Sequence, residues 1–562
     1  MSSATHTNMG AVGSAVPDLA AGIEGGSGPT MPMTDRQLEL DRLWRYYRCA
    51  NYEGRKYDWN GQPTLPKIEH EVVATEGFMP AGFYDAGQTG DFPLKFRRPT
   101  APFYLAKVIV RRFTSLLFSQ KKHPKIAADD PLTEDWLTGF ADATRLWVQM
   151  AKARNYGGAM GSSGLGFKIV ESVPYVEVHD PRWVNVDFAD REELIVRSFE
   201  KKYQFPKEVI NPLNGEREEQ WFWYRRVIDE EQDSVWNEVP VDSSTSEEPQ
   251  WDAIPHHTVA HNFGFCPIVW IQNTAIDDAV DGDPDCHGIY DTIEAIDALW
   301  SQANRGTVAN CDPTVAIVSD ADFMGIRKGS GNALQVEKGG SVNYLEMTGE
   351  GGKAAVELAE KLEEKALIVA RCVLDTNFSG PARTVEEVDK NYSNMIEQCD
   401  ELREQYGERG VKRLLAMVLK IARQFDRTWV DTTGPLPTLV RGLIKLPKKR
   451  ETDEATGQSV WLQRQVGLGE QIELTWPNYF EPSQEAIGAA VTAAGQAKQY
   501  ALVDAETATK FVAPFFQIEN IREVVEKAKA DQQSMADAFA EQATAAGQGG
   551  VLPPPVGKKA FG

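Results

Sequence analysis

Residues 353–387 read KAAVELAEKLEEKALIVARCVLDTNFSGPARTVEE. Ala355, Ala359, Leu362, Ala366, Val369 and Val373 fall alternately four and three apart, the spacing of an apolar seam along one helix face. This predicts a helix over 353–374. The run 375–383 (DTNFSGPAR) interrupts it. Thr384 and Glu387 then match a capping box, with Thr at the N-cap and Glu three residues on. They predict a helical segment reaching about Val430, which at 1.5 Å per residue spans roughly 70 Å. Gly407 and Gly410 should bend or break it.

Working backward, Ile289, Ile293, Ile296, Trp300 and Ala303 lie on one face of a helix expected from Gly288 to Asn310. Between the two helices, PTVAIVS (313–319), ALQVE (333–337) and SVNYLEM (341–347) read as a small β insertion with Gly-rich turns. Two helices around a β insertion, followed by a very long helix, describe a hairpin stalk with a β tip projecting from a wider body. Ordinary globular helices run to about 10–14 residues, so this order suits a stalk better than a compact enzyme.

The body is read outward from there. Residues 166–188, 193–205, 220–229 and 233–239 are rich in β-branched and aromatic residues, broken by turn signals, and predict an antiparallel β region. Residues 257–273 read as a last strand pair, and 240–255 as a polar loop. Helices are expected over 102–120, opened by Pro102, and over 132–155. A first helix begins at a Thr34/Gln37 capping box and carries Leu40, Leu43, Trp44 and Tyr47. After a short β region that includes 439–447 and 460–468, residues 483–540 are Ala-rich and predict two or three helices. The first 30 residues and 545–562 have the Gly, Ser, Ala and Pro bias of disordered tails. The fold class is α+β.

A chain of 562 residues suits three or four packing units of about 150 residues each. Its 42% hydrophobic and 25% charged content is that of a globular protein able to bury a sizeable core. No apolar run approaches the ~20 residues that span a bilayer, and the N-terminus has neither basic nor apolar signal regions. A soluble protein made in a cytoplasm, without membrane association, is the expectation. Net charge of −23 argues against tight, non-specific DNA binding, which Lys and Arg drive. It remains compatible with a conduit whose acidic wall repels phosphates.

No catalytic signature survives inspection. Residues 156–166 (YGGAMGSSGLG) are Gly-rich but lack the Gly-Lys-Ser/Thr ending of a P-loop, and neither Ser162 nor Ser163 sits in a nucleophile elbow, so a flexible turn is expected. Asp281, Asp283 and Asp285 begin like a calcium loop, yet Cys286 stands where Gly is wanted and Thr292 where Glu is, which leaves a solvated acidic turn. His256, His257, His261 and His287 read as structural or surface histidines. Cys49, Cys266, Cys286, Cys311, Cys372 and Cys399 have neither disulfide nor zinc spacing and read as free thiols. No cofactor and no metal is expected.

In order and spacing the chain resembles the portal proteins of tailed bacteriophages, over about residues 36–540. The resemblance is carried by RQLELDRLWRYYR (36–48), AKVIVRRFTSLLF (106–118), VEVHDPRWVNVDF (176–188), HNFGFCPIVWIQN (261–273), HGIYDTIEAIDALWSQANRG (287–306), VARCVLDTNFSGPARTVEEV (369–388) and TWPNYFEPSQEAIGAA (475–490). It implies a disordered tail at 1–35, a wing at 36–286 and 384–476, and stem helices at 287–310 and 353–374. It further implies a clip at 311–352, a tunnel loop at 375–383, a crown at 477–540 and a tail at 541–562. Portal proteins form a ring, usually of twelve copies, at one capsid vertex. The implied partners are double-stranded DNA passing through the channel, the terminase, a head-completion adaptor and the major capsid protein. The implied location is the virion, after assembly in the host cytoplasm, with no enzymatic activity in the chain. Tunnel-loop candidates are Asp375, Asn377, Phe378, Ser379, Gly380, Pro381 and Arg383. Clip candidates are Ile326, Arg327, Lys328, Glu337 and Lys338. Against this stand two alternatives: another virion component such as a tail or capsid subunit, or a hydrolase within 166–280 using Asp180 or His261.

Overall fold

The computed structural model describes residues 33–52, 101–170, 172–210, 217–241, 248–311, 314–318, 341–345, 350–374, 385–428, 444, 446–452, 459–462, 464–479, 484–499, 504, 507–509, 512 and 524–530. The chain divides into two units, one of residues 1–376 and 394–475, the other of 377–393 and 476–562. Its class is α+β.

Helix α1 (Asp35–Arg48) opens on the expected capping box, with Thr34 N–H donating to Gln37 Oε1 at 2.9 Å and Gln37 N–H to Thr34 Oγ1 at 3.3 Å. Helix α2 (Leu105–Phe118) starts three residues later than Pro102 suggests, because Tyr104 adopts a left-handed φ of 56°. It buries Leu105, Ile109, Phe113 and Leu117 at helical spacing. A short strand β1 (Lys125–Ala128) follows. The single helix expected over 132–155 is two, α3 (Pro131–Thr144) and α4 (Leu146–Met160), broken where Arg145 takes φ of 52°. Nothing in the residue type of Arg145 signals that turn.

The Gly-rich run is a packed element instead of a flexible turn. Gly157 and Gly158 lie in the last turn of α4, where a Cβ would run into the Tyr406 hydroxyl and the Arg154 guanidinium respectively. Gly161, at φ of 94°, caps the helix, and the chain enters the buried strand β2 (Ser162–Val170).

Strands β2, β3 (Val173–His179), β4 (Val184–Asp190), β5 (Ile195–Ile210), β6 (Arg217–Ile228), β7 (Gln232–Val235), β8 (Val239–Pro240), β9 (His257–Ala260) and β10 (Ile268–Gln272) form one sheet in the order β3-β2-β10-β5-β6-β7-β9. In it β4 pairs with β5 and β8 with β6, and all described pairings are antiparallel. The strands expected as a last pair over 257–273 do not pair with each other: β9 lies at the sheet edge on β7, and β10 is central between β2 and β5. The apolar run Ile268–Ile271 of β10, buried like the Gln272 that follows it, is the reason it takes an interior place.

The sheet curls. Along the sheet β3 and β6 are four strand spacings apart, about 19 Å at ~4.8 Å each. Yet Arg226 on β6 reaches Glu177 on β3 at 3.0 Å and Asp233 on β7 at 2.7 Å. Arg226 is thus a clasp across the concave face, beside Lys168, which also pairs with Glu177. Beneath it pack Val184, Val196, Phe199, Ile228, Cys266, Ile268 and Trp270. His179 lies against Phe199, ring centroids 4.7 Å apart, in room that Gly164 and Gly166 leave open. Burial, reinforced by Lys201, pushes its pKa down to about 3.

The hairpin follows. Helix α5 (Tyr290–Cys311) leads to the antiparallel pair β11 (Thr314–Val318) and β12 (Ser341–Leu345), and helix α6 (Glu350–Val369) returns along α5. The second helix starts and ends earlier than 353–374, because Arg371 turns the chain at φ of 50°. The long helical run follows as α7 (Val385–Arg403), a π-helical segment Glu404–Lys412 and α8 (Arg413–Thr428). Gly407 and Gly410 thus neither break nor end it; they fall inside the widened π turns. Strands β13 (Lys449–Thr452) and β14 (Ser459–Leu462) pair with each other, and β15 (Ile472–Thr475) pairs with β1. In the second unit, the described residues include helix α9 (Gln484–Gln499) and helical residues 507–509 and 524–530. The expected tails, the Thr384 cap, the strand at 333–337, most of 439–447, and the clip and tunnel-loop candidates lie outside the described residues.

Removing the Arg226 side chain breaks its ion pairs to Asp233 and to half-buried Glu177, which keeps Lys168, so Arg226→Met is expected to cost about 1–3 kcal/mol, read as a lowered unfolding midpoint. The concave face also predicts acid sensitivity. An unfolded His179 gains its proton below about 6.5 while the folded one resists until about 3, so stability falls as pH drops through that window. Glu177, whose burial is outweighed by Arg226, His179 and Lys168, is held well below its ordinary value, and its contribution is likewise lost in acid. His179→Leu should therefore lose less melting temperature than the parent between pH 7 and pH 4.5 (about the middle of the window); an equal loss would remove His179 from the account.

Candidate functional site

The root of the hairpin is where the described residues concentrate long-range polar contacts. Helix α5 presents Tyr290, Glu294, Asp297 and Ser301, spaced four, three and four apart and therefore on one face. Each meets a segment far away in sequence. The Tyr290 ring lies 4.7 Å from that of Tyr46 and 5.8 Å from the Arg42 guanidinium. Tyr46 OH donates to Glu294 at 2.7 Å. Asp297 accepts from Tyr52 OH at 2.8 Å and from Phe103 N–H at 2.6 Å. Ser301 Oγ accepts from Ala101 N–H at 3.1 Å and donates to the Asp297 carbonyl at 2.6 Å. Burial pushes the Asp297 carboxyl up, against the hydrogen bonds from Phe103 and Tyr52 that favour its charged form. Three turns of α5 are thereby tied to α1 and to the entry of α2.

The residues leading into α5 are held more deeply. Asp285 is an ion pair with Arg154 of α4, Nη2 lying 2.9 Å from both carboxylate oxygens, and both side chains are buried. Asn273, just after β10, donates to Asp285 at 3.0 Å and accepts from Tyr406 OH at 3.0 Å. The Arg154 guanidinium lies 5.4 Å from the Tyr406 ring and 5.9 Å from that of Phe113. Tyr406 belongs to the π-helical segment, and Gly410 in the same segment lies against Ile271 of β10, so close that a Cβ there would meet its Cδ1 at 2.9 Å. The expected solvated acidic turn is thus corrected. Asp285 is buried, Asp281 pairs with Arg36 at 2.5 Å, and Asp283 lies 3.1 Å from His287.

Of the seam residues, Ala359 and Ala366 are buried, Ala355, Leu362 and Val373 are half-buried, and Val369 is 61% exposed. The burial line continues to Ala370 instead, following the 3.6-residue turn. These small residues let α6 lie close along α5. Asp180 caps a single helical turn at Pro181 and pairs with Arg182 at 2.8 Å, and His261 stacks on Phe263 at 4.4 Å. His256 and His257 are exposed, and Cys266, Cys286, Cys372 and Cys399 are buried free thiols. Among the described residues no group of three or more His, Cys, Asp and Glu is placed to hold a metal, and no helix is long and apolar enough to cross a membrane. The Arg154–Asp285–Asn273–Tyr406 cluster was not foreseen. Its one sequence signal is an arginine on the apolar face of α4, and a single sequence does not say which acid answers it.

No family model and no curated protein matches the chain. Among solved structures it is similar to a chain of the virion of a native gene transfer agent particle, at TM-score 0.29 and 13% identity, covering 59% of this chain and 86% of that one. A likeness this loose carries no argument.

Replacing Asp297 with Ala removes the carboxylate that accepts from the Phe103 N–H and the Tyr52 hydroxyl. The expected cost is about 1–3 kcal/mol, with faster amide exchange at 101–104 and along the first turns of α5 while β2 and β10 stay protected. Uniform protection across both regions would show that the tether does not hold the hairpin.

Proposed function

We propose that this chain is the subunit of a portal ring, a structural protein of a tailed-phage-like particle that lines a passage for double-stranded DNA. The observation that carries the reading is the helical hairpin itself. Among the described residues helix α5 is tied to the body over Tyr290–Ser301, and its last ten residues lead on to the small β pair 314–318/341–345. At 1.5 Å per residue, the 22 residues of α5 and the 20 of α6 are each about 30 Å long, and the ten residues of α5 past the tethered turns span about 15 Å. A rigid root with a projecting two-helix stalk is what copies standing side by side need in order to wall a pore. The net charge of −23 fits a wall that DNA slides past without adhering.

In this reading α5 and α6 are the stem, the β pair belongs to a clip that meets terminase and a head-completion adaptor, and the curled sheet belongs to a wing that meets the capsid protein. Residues 375–383 form the tunnel loop facing DNA, about twelve copies make the ring, and the chain performs no catalytic step.

Negative-stain imaging and mass photometry over a series of concentrations test the proposal. A closed ring with a central hole is expected, and particles of one 62.4 kDa chain at every concentration would refute it. Deleting 319–340 should leave the ring and abolish packaging of DNA; unaltered packaging would reject the clip assignment.

A further inference from the structure

Helix α6 carries opposite charges on its two flanks. Successive residues turn by about 100°, so measured from the buried line of Ala359 and Ala366, Lys361 and Lys365 lie roughly 100–140° round on one side. On the other side Glu360, Glu363 and Glu364 lie roughly 60–160° round. The basic flank also shows apolar surface, with Leu358 49% and Val369 61% exposed, and Ile368 is 67% exposed at its border. Lys353, nearer the tip, is the one base on the acidic side of the helix.

Among the described residues no ion pair is formed by Glu360, Lys361, Glu363, Glu364 or Lys365. Each flank instead sets like charges four residues apart, Lys361 with Lys365 and Glu360 with Glu364, an arrangement that weakens an isolated helix. Burial, with Glu360 adding to it, pushes the Glu363 carboxyl up. Each flank thus keeps a like-charge pair four residues apart, while Lys361 has Glu357 four residues before it and Glu364 three after it on the same helix.

We infer that the basic flank of α6 docks on the acidic flank of α6 in a second copy of this chain. The two flanks are different surfaces of one helix, so the contact is head-to-tail, the kind that closes into a ring when the rotation allows. Rotation about a ring axis keeps equal-numbered residues at equal height. Lys361 then stands beside the neighbour's Glu360 and Lys365 beside its Glu364, while Leu358 and Val369 are covered. The flanks lie to either side of the plane that contains α5 and α6, the direction in which neighbouring hairpins stand. This inference rests on the ring reading above and adds which surfaces meet.

Assembly of the full chain, followed by mass photometry against concentration, tests it. Lys361→Glu with Lys365→Glu should raise the midpoint concentration of assembly at least about tenfold, and so should Glu360→Lys with Glu364→Lys. All four substitutions in one chain swap the flanks and should bring the midpoint back toward the parent's. Thermal melts of the unassembled variants check that each is folded. If either two-site variant assembles at the parent midpoint, or the four-site variant melts like the parent but does not recover, the flank pairing is wrong although the ring stands. Salt gives a readout without substitution: raising ionic strength from about 0.05 M to about 0.5 M should weaken assembly, and a salt-indifferent midpoint would overturn the pairing. A parent that never assembles removes the ring and this contact together.

Discussion

The buried Arg154–Asp285 pair, completed by Asn273 and Tyr406, joins parts of the chain that share no sequence neighbourhood: helix α4, the end of β10, the approach to the hairpin and the π-helical segment. Two charges without water are costly, and the cost is offset only when every member is in place. That requirement accounts for features that otherwise look unrelated. Gly157 and Gly158 clear space for the Tyr406 hydroxyl and the Arg154 guanidinium, and Gly410 lets the π segment close on Ile271. The π turns bring Tyr406 over the ion pair, and Asp285 fixes the residues from which α5 departs.

From that root outward, contacts become progressively local. The first three turns of α5 are tied by Tyr290, Glu294, Asp297 and Ser301, all to residues before 105. Farther along, among the described residues, α5 and α6 pack on each other through alanines that allow close approach. A stalk built this way is stiff where it leaves the body and, along α6, offers two flanks of opposite charge to whatever stands beside it. The curled sheet is organised by a comparable device, with Arg226 drawing β3 and β6 together over an apolar floor. In both places an arginine, the buried Arg154 or the partly buried Arg226, sets the geometry that the aliphatic core then fills.

Much of this was legible in the chain. Periodicity located both hairpin helices and the pair 314–318/341–345, and Thr34 and Gln37 marked the first helix start to the residue. Misreadings cluster where a distant partner decides. Asp285 looked like one acid of a solvated turn, because the residue that buries it lies 131 positions away. The Gly-rich run looked mobile, because what presses on Gly157 is a tyrosine about 250 positions downstream and what presses on Gly161 is the backbone of Gly282. Gly407 and Gly410 looked like bends or breaks, since local propensity cannot know that Ile271 of β10 packs against Gly410.

Sequence by itself therefore determined the order and type of the elements, the acidic balance and the segregation of lysines and glutamates on α6. Those follow from turn chemistry and from periods of 2 and 3.6 residues, which are local. Tertiary structure alone decided which strand became central, how far the sheet curled, that the long helix passes its glycines through a π segment, and which acid pairs with Arg154. Each of these depends on groups brought together across hundreds of residues, where burial and charge, not spacing along the chain, set the outcome.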